Sequence, residues 1–210
     1  KNLHTEFGKG FHSCQEDIDR RIFYGQSRET SLLDVLKITQ TDWRHLDSFA
    51  HTGKNLKNLR RTLIWYNTQY EFDSFKLLTL PDGRPAQEVH YNLPLNEKYR
   101  ISVRFDGIVS DGTTTLILER KTTGNNLDYK YFMKYTPNIQ VGTYLWAASK
   151  MGLGISGILI DAVQILVGGT RFSRQTIQLL PDQIQEYERI LINACEEASI
   201  TPDIVCLSKA

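Results

Sequence analysis

A chain of 210 residues is long enough for one domain with its own core and room for an insertion. Hydrophobic residues make up 40% and charged residues 23%, an ordinary globular balance that excludes a low-complexity or disordered chain. The net charge of +1 offers no overall attraction for a polyanion, so any basic surface must come from local clustering, and no apolar run approaches the roughly 18 residues of a membrane span.

Residues 6–24 place Phe7, Phe11, Ile18 and Ile22 at helical spacing, which predicts an amphipathic helix. Residues 25–31 are polar, contain Gly25 and read as a loop, and 32–50 read as weakly helical. Over 54–72, Leu56, Leu59, Leu63, Tyr66 and Tyr70 mark one face of a stronger helix. Lys57, Arg60 and Arg61 lie mostly off that face, either as a solvated basic side or as a phosphate-contacting surface. Pro81-Asp82-Gly83 is a turn signal, followed by predicted strands over 86–93 and 99–109. Ser110-Asp111-Gly112 marks a hairpin, and Thr113 to Lys121 gives a third strand rich in β-branched residues. A polar loop then passes through Gly124, Asn125 and Asn126. Thr136-Pro137 predicts a helix start, with Thr as cap and Pro at the first helical position, running to about Lys150 and ending at Gly152. The β-branched stretch 155–167 fits a buried strand, and 172–179 a half-exposed one. Pro181-Asp182 opens a closing amphipathic helix over 181–198. Helices, three strands, a helix, strands and a helix together predict an α/β fold: one mixed central sheet flanked by helices. The expected organisation is a single domain over 1–210 with a mainly helical insertion near 26–80.

Cys14, Cys195 and Cys206 form no C-x-x-C pair and read as reduced thiols of an intracellular protein. No signal peptide opens the chain and no membrane partner is expected. Because the chain opens at Lys1 rather than Met, the expectation is a segment of a longer protein.

The hairpin carries the chemistry. With Asp111-Gly112 as a two-residue loop, Asp106 pairs with Ile117. Strand alternation then puts Asp106, Ile117, Glu119 and Lys121 on one face and Leu116 and Leu118 on the other, toward the core. Asp106 and Glu119 become diagonal neighbours about 7–8 Å apart at the backbone. A four-residue loop preserves this register and a three-residue loop breaks it. Two nearby acids repel unless a cation neutralises them, and magnesium or manganese suits carboxylate oxygens. A lysine two residues on can orient or deprotonate a water and offset developing charge. A surface salt-bridge cluster is the plainer alternative.

These residues also resemble a known signature. Asp106, twelve intervening residues and then Glu119-Arg120-Lys121 are similar to the D-x(n)-(D/E)-x-K pattern of the PD-(D/E)XK nucleases. Gly10-Phe11-His12 resembles the upstream helical motif of RecB-like members, whose histidine binds metal. Gln140-Val-Gly-Thr-Tyr144 resembles their Q-x-x-x-Y motif, with Gln140 and Tyr144 sharing a helix face. Glu88 resembles an extra acidic residue on the preceding strand, where it would help bind substrate. The resemblance implies a mixed sheet flanked by helices and a nuclease using one or two magnesium or manganese ions. It implies His12, Asp106 and Glu119 as metal ligands, with the Arg120 carbonyl as a further ligand. Lys121 would position or activate water, and Gln140 and Tyr144 would contact DNA or brace the site. The expected partners are DNA ends or single strands, with a helicase or other recombination protein supplying any unwinding. The setting implied is the cytoplasm, or the host cytoplasm for a phage protein. The reaction expected is exonucleolytic, with a structure- or sequence-specific endonuclease and a non-catalytic nucleic-acid-binding module as alternatives. Two departures stand out: Phe105 replaces the proline before Asp106, and Cys14, Cys195 and Cys206 do not make the four ligands of an iron–sulfur cluster.

Other residues read as structural. His4, His45, His51 and His90 have no partners at ligand spacing. Trp43, Trp65 and Trp146 read as core or interface residues, with base stacking left open for one. Arg171-Phe-Ser-Arg174 is either a solvated strand edge or a phosphate contact. Gly53-Lys54 is followed by Asn and makes no Walker loop.

Overall fold

The computed structural model describes residues 3–49 and 52–200. Helix α1 spans Leu3–Phe23, α2 Arg28–Asp42 and α3 Leu56–Gln69, with a short 3-10 helix at Arg44–Phe49. Strands β1 (Lys76–Leu77), β2 (Gln87–Pro94), β3 (Arg100–Ser110) and β4 (Thr115–Thr123) follow. Then come α4 (Tyr129–Met133), α5 (Ile139–Met151), β5 (Ile155–Ile165), β6 (Thr170–Ile177) and α6 (Pro181–Ile200). The fold is α/β, with a mixed sheet flanked by helices. Strands run in the order β1-β3-β4-β5-β6, and β2 also pairs with β3. Only β4 and β5 run parallel; the other pairs are antiparallel.

Both faces of the sheet are covered, which is why β5 reads as a continuous apolar run rather than an alternating one. Ile117 of β4 and Ile158, Ile160 and Ala162 of β5 pack with α4, α5 and α6. Val163 and Ile165 of β5 pack on α1, α2 and α3 through Phe7, Phe11, Ile18, Val35, Leu59 and Leu63. The segment expected as an insertion therefore supplies part of one helical layer. Leu116 and Leu118 do point opposite to Ile117, but they join only a small cluster with Val109 and Leu159.

Local chemistry sets the element boundaries. The loop expected over 25–31 is shorter, because the Ser27 hydroxyl accepts from the Thr30 amide (3.1 Å) and caps α2 at Arg28. The weak apolar pattern of α2 has a simple cause: Ser31 and Thr39 sit on its buried face beside Val35 and Leu36. Thr136-Pro137 does not start α5. Asn138 does, its side chain accepting from the Val141 amide (3.2 Å), and Thr136-Pro137 is a cis peptide bond outside the helix. On the far side of α5, a Cβ added at Gly142 would stand 2.1 Å from the Tyr187 ring. That close approach lets α5 lie flat on α6, and the Tyr187 hydroxyl accepts from the Asn138 amide (3.0 Å). His51 and Cys206 lie outside the described residues, as does the side chain of His4.

Candidate functional site

The hairpin between β3 and β4 is longer than the two-residue loop expected. One Asp111 carboxylate oxygen accepts from the amides of Thr113 (2.9 Å) and Thr114 (2.7 Å), folding residues 111–114 into a four-residue turn. Ser110 therefore pairs with Thr115 and Ile108 with Ile117, in place of Asp106 with Ile117: the pairing moves by two residues and each side chain keeps its face. The β3–β4 ladder ends at Gly107 and Leu118. Phe105 and Ile108 lie three residues apart yet pack in the same core, so strict alternation fails across Asp106-Gly107. Glu88, which faces this point from β2, has a φ of 51°. Where the ladder stops, the Asp106 carboxylate accepts the Arg120 amide at 2.8 Å. Asp106 thus reaches Glu119 through a break in β3 rather than through regular register.

Helices α1 and α5 close on this break. From α1, His12 Nδ1 lies 3.5 Å from the Asp106 carboxylate. The helix lies close to β4, since a Cβ added at Gly8 would stand 3.1 Å from the Thr122 hydroxyl. From α5, Gln140 donates to Glu119 Oε1 and to the Tyr144 hydroxyl, both at 3.1 Å. Tyr144 donates to the Arg104 carbonyl at 2.7 Å. Lys121 Nζ lies 2.6 Å from Glu119 Oε1 and donates to the Gln140 carbonyl oxygen at 3.2 Å. The structure therefore brings together His12, Asp106, Glu119, Lys121, Gln140 and Tyr144. Glu88 pairs with Arg104, and the negative charge of Asp106 reaches it. Arg120 contributes its backbone; its side chain leaves by the opposite face of β4.

The electrostatics follow from burial. Glu119 is 6% exposed, and burial, then the adjacent Asp106 charge, pushes its carboxyl up to about 7. Glu119 Oε2 is buried and has no hydrogen-bond partner. Burial lowers the His12 pKa, and Asp106 opposes this. Burial raises the carboxyls of Glu88 and Glu16. Glu16, one helical turn beyond His12, was not anticipated from the sequence. Its signal was available, because residues four apart share a helix face. Among the described residues, no three His, Cys, Asp or Glu side chains cluster tightly enough to hold a metal ion as they stand.

A second charged cluster lies on the other face of β4. Arg120 donates to Asp19 (2.5 Å) and to the Tyr66 hydroxyl (3.3 Å). Tyr66 donates to Asp161 (2.5 Å), and Arg174 donates to Asp161 (2.8 Å) and Asp73 (2.5 Å). Burial opposes the charge on Arg120, but Asp19, Tyr66 and Asp161 outweigh it and hold the guanidinium above its ordinary value. A cavity of about 300 Å³ beside Arg120 and Arg174 lies on this face, away from the Asp106–Glu119 pair. Arg174 is thus committed to internal carboxylates, which fits neither the solvated strand edge nor the phosphate contact read from the sequence. Arg61 is similarly committed: it donates to the carbonyls of Leu166 (2.9 Å), Val167 (3.2 Å) and Gly169 (3.0 Å) and stacks on Trp65. Trp146 is fully buried, and Trp43 packs at the edge of the α1–α3 core.

No protein-family model matches the chain, and no curated protein matches it at a significant level. Among solved structures, one entitled "Crystal structure of SSO0001" is similar over 77% of this chain and 70% of that chain, at 15% identity and a TM-score of 0.39. Likeness at that level carries no argument about family or activity. Cys14 is buried in the α1–α3 core, where burial pushes its thiol up to about 12, and Cys195 packs against the other core cluster. Among the described residues, no helix is long and apolar enough to cross a membrane.

Proposed function

We propose that this protein is a divalent-metal-dependent nuclease of the PD-(D/E)XK type that hydrolyses phosphodiester bonds at DNA ends or in single strands. One observation carries the reading: Asp106 accepts the Arg120 amide where the β3–β4 ladder ends, next to Glu119, which pairs with Lys121 and whose buried Oε2 has no partner. A buried, unpaired carboxylate oxygen is costly unless a cation or donor reaches it. Asp106, Glu119 and the Arg120 carbonyl supply oxygen donors of the kind magnesium and manganese take, with the His12 imidazole 3.5 Å from Asp106; the side chains would have to draw closer to hold an ion. When bound, such an ion activates water for hydrolysis and stabilises charge on the phosphoryl oxygens.

The chain's own residues divide the remaining work. Lys121 Nζ lies 2.6 Å from Glu119 and can orient the attacking water or offset charge as it develops. Gln140 bonds both Glu119 and Lys121 and fixes their separation. Tyr144 bridges Gln140 to the Arg104 carbonyl and ties α5 to β3. The Asp106 carboxylate is oriented by the Arg120 amide. A non-catalytic nucleic-acid-binding module is the second reading, favoured by the way Lys121 and Gln140 already occupy Glu119 Oε1.

Digestion of end-labelled linear DNA and of covalently closed circles, each with manganese and with a chelator, tests the proposal. The expected result is manganese-dependent loss of the linear label with circles intact. Cutting of circles at discrete sites would point to an endonuclease. No cutting of either substrate, with DNA binding retained, would leave the non-catalytic module.

A further inference from the structure

Helix α4 follows β4 in the chain, packs in the core of α5 and α6, and offers a surface that the chemistry above does not use. Its inner side anchors it there. Tyr131 and Phe132 are buried in the α4–α6 core, and the Tyr131 and Tyr135 hydroxyls are 3.3 Å apart. The negative charge of Glu119 reaches Tyr135, and the positive charge of Lys121 reaches Lys134.

The outer side has a different composition. Tyr129 is 72% exposed, Met133 one turn along α4 is exposed too, and so is Ile139 at the start of α5. Lys130 and Lys134 are exposed too, and among the described residues neither forms an ion pair with an acid. Lys134 is held over the faces of Tyr131 (3.6 Å) and Tyr135 (4.9 Å), which fixes its position without neutralising its charge. An exposed aromatic ring beside two uncompensated ammonium groups, next to a phosphodiester site, matches a polyanion that carries π faces.

We propose that the α4 surface, from Tyr129 to Ile139, is the platform on which one unpaired nucleic-acid strand lies as it enters the site, with a base stacked on Tyr129 and phosphates on Lys130 and Lys134. This rests on the nuclease reading for its substrate class. A single strand is specified because a duplex keeps its base faces inside its own stack, where Tyr129 cannot reach them. Phe72 is more exposed, at 92%, but its neighbour Glu71 is an exposed acid and no lysine or arginine flanks it in the chain. It therefore serves as the control.

The test is fluorescence anisotropy with labelled oligothymidylate and with the matching duplex, in a chelator so that nothing is cut. Tyr129→Ala should weaken single-strand binding roughly tenfold, since stacking on an aromatic contributes about 1–3 kcal/mol per base. Tyr129→Phe should restore it and Phe72→Ala should leave it unchanged. The pair Lys130→Gln, Lys134→Gln should flatten the slope of log affinity against log salt by about one to two. If Tyr129→Ala binds the strand as tightly as wild type, or loses duplex binding equally, the proposal is overturned. Equal Tyr129-dependent binding of polyglutamate would overturn it in favour of an acidic protein partner. Wild type that binds the strand through Tyr129 yet cuts nothing with manganese would sink the nuclease reading and leave this platform standing.

Discussion

Strand β4 carries a charged cluster on each face, and the two are built to different rules. On one face, Arg120, Asp19, Tyr66, Asp161, Arg174 and Asp73 form a chain in which each cation meets carboxylates and the tyrosine bridges them. On the other, Glu119 pairs with Lys121 and feels the Asp106 charge, while Asp106 accepts the Arg120 amide; a bare buried atom occurs in both clusters, Glu119 Oε2 here and Asp161 Oδ1 and Arg174 Nε there. Helix α1 serves both: Gln15 and Asp19 belong to the first cluster, His12 and Glu16 to the second. Buried charge alone therefore does not mark a site. What separates the clusters is whether every acid has a guanidinium partner: Asp19, Asp161 and Asp73 do, whereas Asp106 has the Arg120 amide and His12, and that difference should appear as opposite responses to neutralising one acid.

The largest effect is expected on the compensated face. Asp161 is fully buried and receives both Tyr66 and Arg174. Asp161→Ala strands those partners and should cost about 3–5 kcal/mol. In a chain of this size that is a fall of about 10 °C in Tm by calorimetry. A loss below about 1 kcal/mol would erase the distinction between the clusters.

On the open face the expected loss is chemical. Lys121→Ala should slow manganese-dependent cleavage of end-labelled DNA by about 10²-fold. Manganese binding should be nearly unchanged, because Lys121 is no ligand. Cleavage at the wild-type rate would remove Lys121 from the mechanism.

A smaller effect, of opposite sign to the first, is expected from Glu119→Gln. Burial and Asp106 raise the folded pKa of Glu119 to about 7 from its ordinary 4.5. The folded state thus binds the proton more tightly than the unfolded state does. The stability this gives is fully present below about 4.5 and is lost as pH rises through about 7. In a chelator, wild type should lose Tm between about pH 5 and pH 7.5 relative to Glu119→Gln. Parallel pH profiles for the two proteins would contradict the repulsion on this face.

The same contrast explains what the sequence made legible. The open cluster could be read because its members recur at short spacing: Glu119 and Lys121 alternate on one strand, and Gln140 and Tyr144 stand one turn apart. The compensated cluster could not, because Asp19, Tyr66, Asp73, Asp161 and Arg174 come from separate parts of the chain and meet only by tertiary packing. Helix α1 was visible from Phe7, Phe11, Ile18 and Ile22, whereas β1 has two residues and α4 five, too few to show a period. The position of Asp106 was half legible. Alternation predicted its proximity to Glu119, but the break at Asp106-Gly107 and the Asp111 turn depend on side-chain bonds that hydrophobic pattern does not encode.

Calorimetric titration of manganese into wild type, Glu119→Gln and Tyr66→Phe at about pH 7.5 tests the central claim most directly. If the open cluster is a divalent-cation site, wild type and Tyr66→Phe should bind manganese alike, and Glu119→Gln should lose at least about 10-fold in affinity, the loss of one of the few protein ligands such an ion takes. Wild type that takes up no manganese, or Glu119→Gln that binds it as wild type does, would contradict the account.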